Sequence, residues 1–67
     1  MTITYQGRSV ETDKTTVAEF LAEREIRTIG ALVEYKGEAY SPGTALDMPL
    51  EEGAELNVFQ MIAGGGK

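Results

Sequence analysis

The 67-residue sequence contains neither cysteine nor histidine. Their absence excludes disulfide bonds, thiolate nucleophiles, the usual zinc ligands and the side chain that most often moves protons near neutral pH. Ser9 and Ser41 therefore have no histidine to activate them. The neighbouring acids Glu51, Glu52 and Glu55 are interpreted as solvated turn residues rather than a catalytic pair. We expect a protein that is not an enzyme and that binds no metal or other cofactor itself.

Basic residues and long apolar runs are also scarce. Six scattered Lys and Arg residues stand against 11 acids, which gives a net charge of −5. Binding to nucleic acid or to an anionic membrane depends on clustered basic residues, so neither partner is expected. No apolar run approaches the roughly 18 residues of a membrane span, and no signal peptide is visible, so we expect a cytoplasmic protein. A protein partner with a basic surface fits the charge, and solubility alone explains it equally well.

The first half of the sequence predicts a hairpin and a helix. Thr2–Tyr5 and residues 8–12 have the composition of strands, and Gln6-Gly7 between them can supply the positive φ of a tight turn. Thr16 and Glu19 stand at the spacing of a capping box. Apolar residues follow at helical spacing, which predicts a helix of two to three turns with one face toward the core; they are Val17, Phe20 and Leu21.

The second half predicts further strands. Ala31–Tyr35 and Glu38–Tyr40 flank a Lys36-Gly37 turn, and residues 55–62 form the last strand. Residues 45–50 are ambiguous, since their apolar residues alternate as in a strand but include Pro49. This order of elements predicts an α+β β-grasp fold, with one main helix packed across one face of a mixed sheet of four to five strands. A split βαβ sandwich is the alternative, although it normally needs a second full helix.

The last predicted strand has two different faces. Alternation places Leu56 and Val58 beneath the helix and Phe59 and Met61 on the opposite face, where Leu32 of the preceding strand extends the apolar surface. Exposed aromatic and methionine side chains are typical of protein interfaces. In the alternative interpretation, the loop of residues 41–53 covers these side chains.

The residues after this strand are mostly small and include three consecutive glycines before Lys67. We expect residues 1–63 to form the domain and residues 64–67 a flexible tail. Residues 63–66 carry little or no side chain, and the five residues from Ile62 to Gly66 reach roughly 16 Å when extended, which suits a narrow channel in a partner. A linker remnant or a frayed end has the same composition. The C-terminal carboxylate is the one distinctive reactive group that the chain offers.

Four stretches resemble bacterial sulfur carrier proteins of the ThiS type, within the ubiquitin-like ThiS/MoaD family. They are TVAEFL at residues 16–21, residues 31–38 with their Lys-Gly-Glu ending, LEEGAEL at residues 50–56 and FQMIAGG at residues 59–65. The resemblance spans nearly the whole chain and implies a ubiquitin-like β-grasp fold with a role in thiamin biosynthesis. The related MoaD-type carrier of molybdopterin synthesis, carriers for cysteine synthesis or tRNA thiolation, and an interaction or tagging module without sulfur chemistry remain alternatives.

The resemblance also implies a reaction and its partners. A ThiF-type enzyme would use ATP to adenylate the C-terminal glycine, and a sulfur donor such as a cysteine desulfurase would convert the adenylate to a thiocarboxylate that supplies thiazole synthase. The reactive glycine is then Gly65, with Gly66 as the alternative. The partner-binding residues would be Leu32, Phe59, Met61, Ile62, Ala63 and Gly64.

Gly66-Lys67 departs from the family pattern, which stops at the glycine aligned with Gly65. A peptidase that removes both residues would expose Gly65, whereas loss of Lys67 alone would expose Gly66. Lys67 as the start of a cloning remnant is a third interpretation.

Overall fold

A computed structural model describes residues 1–60 of the chain. Five strands lie in one sheet, in the order β2-β1-β5-β3-β4. They are β1 Thr2–Tyr5, β2 Arg8–Glu11, β3 Ala31–Tyr35, β4 Glu38–Tyr40 and β5 Glu55–Gln60, and the helices are α1 Val17–Glu23 and α2 Pro42–Ala45. The pair β1 and β5 is parallel, and the other neighbours are antiparallel. The expected mixed sheet with one main helix, the β-grasp arrangement, is confirmed.

Two tight turns build the outer hairpins of this sheet. Gln6 and Gly7 have φ values of 51° and 82°, and Lys36 and Gly37 have values of 55° and 87°. Positive φ at both central residues is the signature of a type I′ turn, whose twist matches that of the two flanking strands. The predicted hairpins β1–β2 and β3–β4 are therefore confirmed, together with the residues that turn them.

Helix α1 begins with a modified capping box. The Thr16 hydroxyl accepts a hydrogen bond from the Glu19 backbone N–H at 3.1 Å, as the sequence predicts. The Glu19 carboxylate accepts hydrogen bonds from the backbone N–H and the hydroxyl of Thr15, at 3.1 and 3.0 Å. Its partner is therefore the residue before the N-cap and not the N-cap residue Thr16 itself. These bonds, led by the one from the Thr15 backbone, hold the pKa of Glu19 below its usual value.

The core lies between α1 and one face of the sheet. Val17, Phe20 and Leu21 of the helix are at most 2 % exposed, as predicted. They belong to one buried cluster with residues from the sheet, from α2 and from the segment between α2 and β5: Ile3, Ala31, Val33, Tyr35, Ala45, Leu50, Ala54, Leu56 and Val58. We call the sheet surface on this side the inner face and the opposite surface the outer face.

Residues 41–50 contain a short helix that the sequence interpretation missed. Strand β4 ends at Tyr40, and Pro42 begins α2. The fixed φ of proline suits the first helical position, and the missing N–H costs nothing there. The ambiguous stretch that follows forms no strand, and its one β-bridge joins Pro49 to Thr16. Leu50 enters the core while Leu46 and Met48 pack at its border.

The strand predicted over residues 55–62 is described as far as Gln60. No helix among residues 1–60 is long and apolar enough to cross a membrane.

Candidate functional site

An apolar patch lies on the outer face of the sheet, near the point where β5 ends. Phe59 of β5 stands directly opposite Leu32 of β3. The Phe59 side chain is 48 % exposed, and Leu32 is half-buried. Leu56 and Val58 on the same strand are buried, which confirms the predicted division between the two faces. We refer to Leu32 and Phe59 as the apolar patch.

The loop of residues 41–53 does not cover this patch. Val17 donates a backbone hydrogen bond to Met48, and Leu50 donates one to Thr15, so the loop is held against the start of α1 on the inner face. Leu50 is buried in the core there. The alternative interpretation, in which this loop hides Phe59, is therefore wrong.

The strands carry acids and no basic residue on the described outer face. Glu34 stands opposite Asn57, Glu11 opposite Thr2, and Glu55 beside Thr4. Residues directly opposite one another share a face, so all three carboxylates lie on the same side as the apolar patch. The arrangement favours a partner whose contact surface combines an apolar depression with basic residues.

A polar network lies between these acids and the end of the first strand. Asn57 is only 9 % exposed although it belongs to the outer face. Its amide nitrogen donates to Glu34 at 2.7 Å and to Glu55 at 3.3 Å. Its amide oxygen accepts from the backbone N–H of Gln6 at 3.1 Å. Every hydrogen-bonding group of the Asn57 carboxamide thus has a partner, which is what burial of an amide requires.

The side chain of Gln6 adds a second link to β5. Its Oε1 accepts from the backbone N–H of Val58 at 3.1 Å, and its Nε2 donates to the carbonyl of Val58 at 3.0 Å. The sequence interpretation used Gln6 only as a turn residue. Contacts between residues about fifty positions apart leave no local signal, so nothing in the sequence pattern could have indicated this role.

A hydrogen bond also joins the end of β5 to the loop that follows α1. The Gln60 side chain donates to the carbonyl of Arg27 at 2.9 Å. In the same loop Ile29 is 92 % exposed, two residues before β3 and at the end of the sheet where β5 ends. The sequence interpretation missed Ile29. One feature of the sequence could have indicated it: Ile29 is a large apolar residue in the segment between α1 and β3, where it belongs to neither the helical nor the strand pattern of apolar residues.

Comparison with known proteins identifies the family. The model of the ThiS family matches residues 2–65. The chain belongs to the ThiS family. Comparison with curated proteins found no significant match. The fold resembles the crystal structure of the thiamine biosynthesis protein (ThiS) from Geobacter metallireducens, with a TM-score of 0.80 and 20 % identity over 97 % of this chain and 100 % of that chain.

The ThiS family match includes Gly65 and stops before Gly66-Lys67. Among the predicted site residues, the structure brings together Leu32 and Phe59. The other predicted site residues lie outside the described residues: Met61, Ile62, Ala63, Gly64, Gly65 and the alternative Gly66. The expected domain boundary between residues 63 and 64 also lies outside them. Within residues 1–60 no cluster of three acidic side chains could hold a metal ion.

Proposed function

We propose that this protein is the sulfur carrier for thiazole formation in thiamin biosynthesis. The observation that supports this most strongly is the ThiS family match, which continues through the Ala63-Gly64-Gly65 sequence. Phe59 of the apolar patch lies on β5, the strand that precedes this segment in the sequence. In this proposal the chain is a protein co-substrate and not an enzyme.

The proposed chemistry takes place at the carboxylate of Gly65. On a ThiF-type enzyme this carboxylate attacks the α-phosphate of ATP, which gives an acyl-adenylate and releases pyrophosphate. Adenylation replaces oxide, a poor leaving group, with AMP. The outer sulfur of a persulfide on a donor such as a cysteine desulfurase then attacks the adenylate, which releases AMP and gives an acyl disulfide. A thiol reductant cleaves the S–S bond of this disulfide and leaves a thiocarboxylate, the form that supplies thiazole synthase. The nucleophile in this chemistry is the terminal carboxylate, so a carrier of this kind needs no nucleophilic side chain, in keeping with the absence of cysteine.

The proposed docking surface consists of the apolar patch and the residues that continue from it. Phe59 and Leu32 would provide an apolar contact, and the outer-face acids would pair with basic residues of the adenylating enzyme. We assign to Met61, Ile62, Ala63 and Gly64 the role of reaching the active site. Ala63 and Gly64 suit this role because a narrow channel leaves little room for a side chain and because glycine adopts whichever φ the channel requires.

The reactive carboxylate requires that Gly66 and Lys67 be absent. Hydrolysis of the Gly65–Gly66 peptide bond by a peptidase would produce it. Gly66 remains the alternative reactive residue, reached by removal of Lys67 alone.

The decisive experiment compares defined C-termini by intact mass. Chains that end at Gly65, at Gly66 and at Lys67 are each incubated with the cognate ThiF-type enzyme, ATP and a sulfur donor. The Gly65 chain should gain about 16 Da as sulfur replaces oxygen, and the Lys67 chain should keep its mass. A gain on the Gly66 chain alone would move the reactive residue by one position. No gain on any chain, with an enzyme that loads its own carrier, would refute the proposal.

A further inference from the structure

Strand β5 continues beyond the end of its parallel neighbour. The register of β1 with β5 comprises Thr4 with Glu55 and Tyr5 with Leu56. Residues 57–60 of β5 therefore extend past the last residue of β1, whereas β3 accompanies β5 as far as Gln60. The last four of the six residues of β5 have a full strand neighbour on one side only.

On the other side, a side chain takes the place of the missing strand. The carboxamide of Gln6 both accepts from and donates to the backbone of Val58, at 3.1 and 3.0 Å. A strand residue would offer the same pair of groups through its own backbone N–H and C=O. The backbone N–H of Gln6 also donates to the Leu56 carbonyl at 3.2 Å and to the Asn57 side chain at 3.1 Å. One residue thus contacts three consecutive residues of β5.

We propose that Gln6 is a positioning residue for the reactive end of the chain, an inference that rests on the proposed carrier function. Val58 stands seven residues before Gly65. With β3 on one side and the Gln6 carboxamide on the other, Val58 is held in strand geometry two residues before Gln60, the last residue of β5. A chain that starts in a fixed direction loses less conformational entropy when it enters a partner's channel.

The substitution Gln6→Asn separates this role from the role of Gln6 in the turn. Asparagine adopts positive φ readily, and Asn-Gly is a preferred pair for a type I′ turn, so the β1–β2 hairpin keeps or gains stability. The asparagine carboxamide is one methylene shorter and does not reach both groups of Val58. Lys36→Asn is the matched control, because Lys36 has the equivalent φ of 55° before Gly37 at the opposite end of the sheet from Gln60.

Two measurements on wild type and both variants test the inference. Amide hydrogen exchange in the unbound protein reports directly on Val58, and Gln6→Asn should accelerate its exchange about tenfold while Lys36→Asn leaves it unchanged. Steady-state adenylation by the cognate enzyme should show a KM raised about threefold to tenfold for Gln6→Asn, with kcat within about twofold and an unchanged or higher Tm. Lys36→Asn should keep the wild-type KM.

The outcomes separate this inference from the function on which it rests. Unchanged exchange at Val58, or an unchanged KM in Gln6→Asn, would overturn the positioning role. A raised KM that accompanies a lowered Tm would also overturn it, since destabilisation alone would then explain the defect. If wild-type protein is not adenylated at all, the proposed function fails, and exchange at Val58 still decides whether Gln6 holds β5.

Discussion

Phe59 faces Leu32 across neighbouring strands, on the side of the sheet that α1 leaves open. We expect Phe59→Asp to raise the KM for adenylation at least about tenfold, because it removes an exposed aromatic contact and adds a charge to an apolar patch. The free energy of unfolding should change by less than about 1 kcal/mol, since the side chain is outside the core. Urea denaturation and steady-state kinetics measure the two effects.

Ser9→Asp is the matched control for this variant. Ser9 stands opposite Thr4 on the outer face and is exposed, on the edge strand β2 and away from β3. The Ser9→Asp variant carries the same added charge on the same face, and its KM for adenylation should remain close to the wild-type value. Unfolding of Phe59→Asp would show that Phe59 supports the core.

Deletion of residues 65–67 should abolish sulfur loading and leave folding intact. The deletion removes the proposed reactive glycine and keeps every member of the buried cluster that the structure describes within residues 1–60. Intact mass measures loading, and thermal unfolding measures stability. A loss of more than about 1 kcal/mol would mean that these residues contribute to the fold. Deletion of Gly66-Lys67 alone, which retains Gly65, should give a chain that is loaded without prior trimming.

Tyr35→Phe should destabilise the protein without affecting its loading. The Tyr35 hydroxyl donates to the Pro49 carbonyl at 2.8 Å and accepts from the backbone N–H of Glu51 at 3.0 Å. Its removal leaves both backbone groups without this partner, which costs about 1 to 2 kcal/mol in urea denaturation. Tyr40→Phe is the control, since the Tyr40 hydroxyl makes no hydrogen bond within residues 1–60. An adenylation defect in Tyr35→Phe would show that this end of β3 contributes to docking.

Glu19→Gln should weaken the dependence of stability on acid pH. The pKa of Glu19 is lowered in the folded protein, chiefly by the hydrogen bond from the Thr15 backbone. A lowered pKa stabilises the folded state above the unfolded pKa, and the contribution disappears as pH falls through the folded pKa. Between about pH 6 and pH 3, wild type should therefore lose more stability than Glu19→Gln. Parallel slopes in urea denaturation across this range would contradict the prediction.

Local patterns predicted the parts of this fold that local physics determines. Gln6-Gly7 and Lys36-Gly37 indicated both hairpins because the side-chain-free glycine accepts positive φ. The spacing of Thr16 and Glu19 indicated the start of α1, and alternation along β5 separated buried Val58 from exposed Phe59. Each of these features depends on residues a few positions apart.

The features that the sequence interpretation missed depend on short elements or distant contacts. Helix α2 has four residues, too few for a helical period to show. Asn57 lies on the outer face, and its burial results from Gln6, Glu34 and Glu55, which come from three different strands or turns. The contact of Gln6 with Val58 joins residues 52 positions apart. Only the assembled sheet reveals such partners.

The central place of β5 has a consequence for how the molecule folds. Each outer hairpin, β1–β2 and β3–β4, is closed by its own turn, yet the two meet only through β5, which comes last in the order of the described elements. An isolated hairpin is at best marginally stable in water, so we expect insertion of β5 to be the cooperative step that converts two weak units into one sheet. A protein bound across Leu32 and Phe59 would hold that inserted strand against its neighbour, and its binding would therefore slow global unfolding.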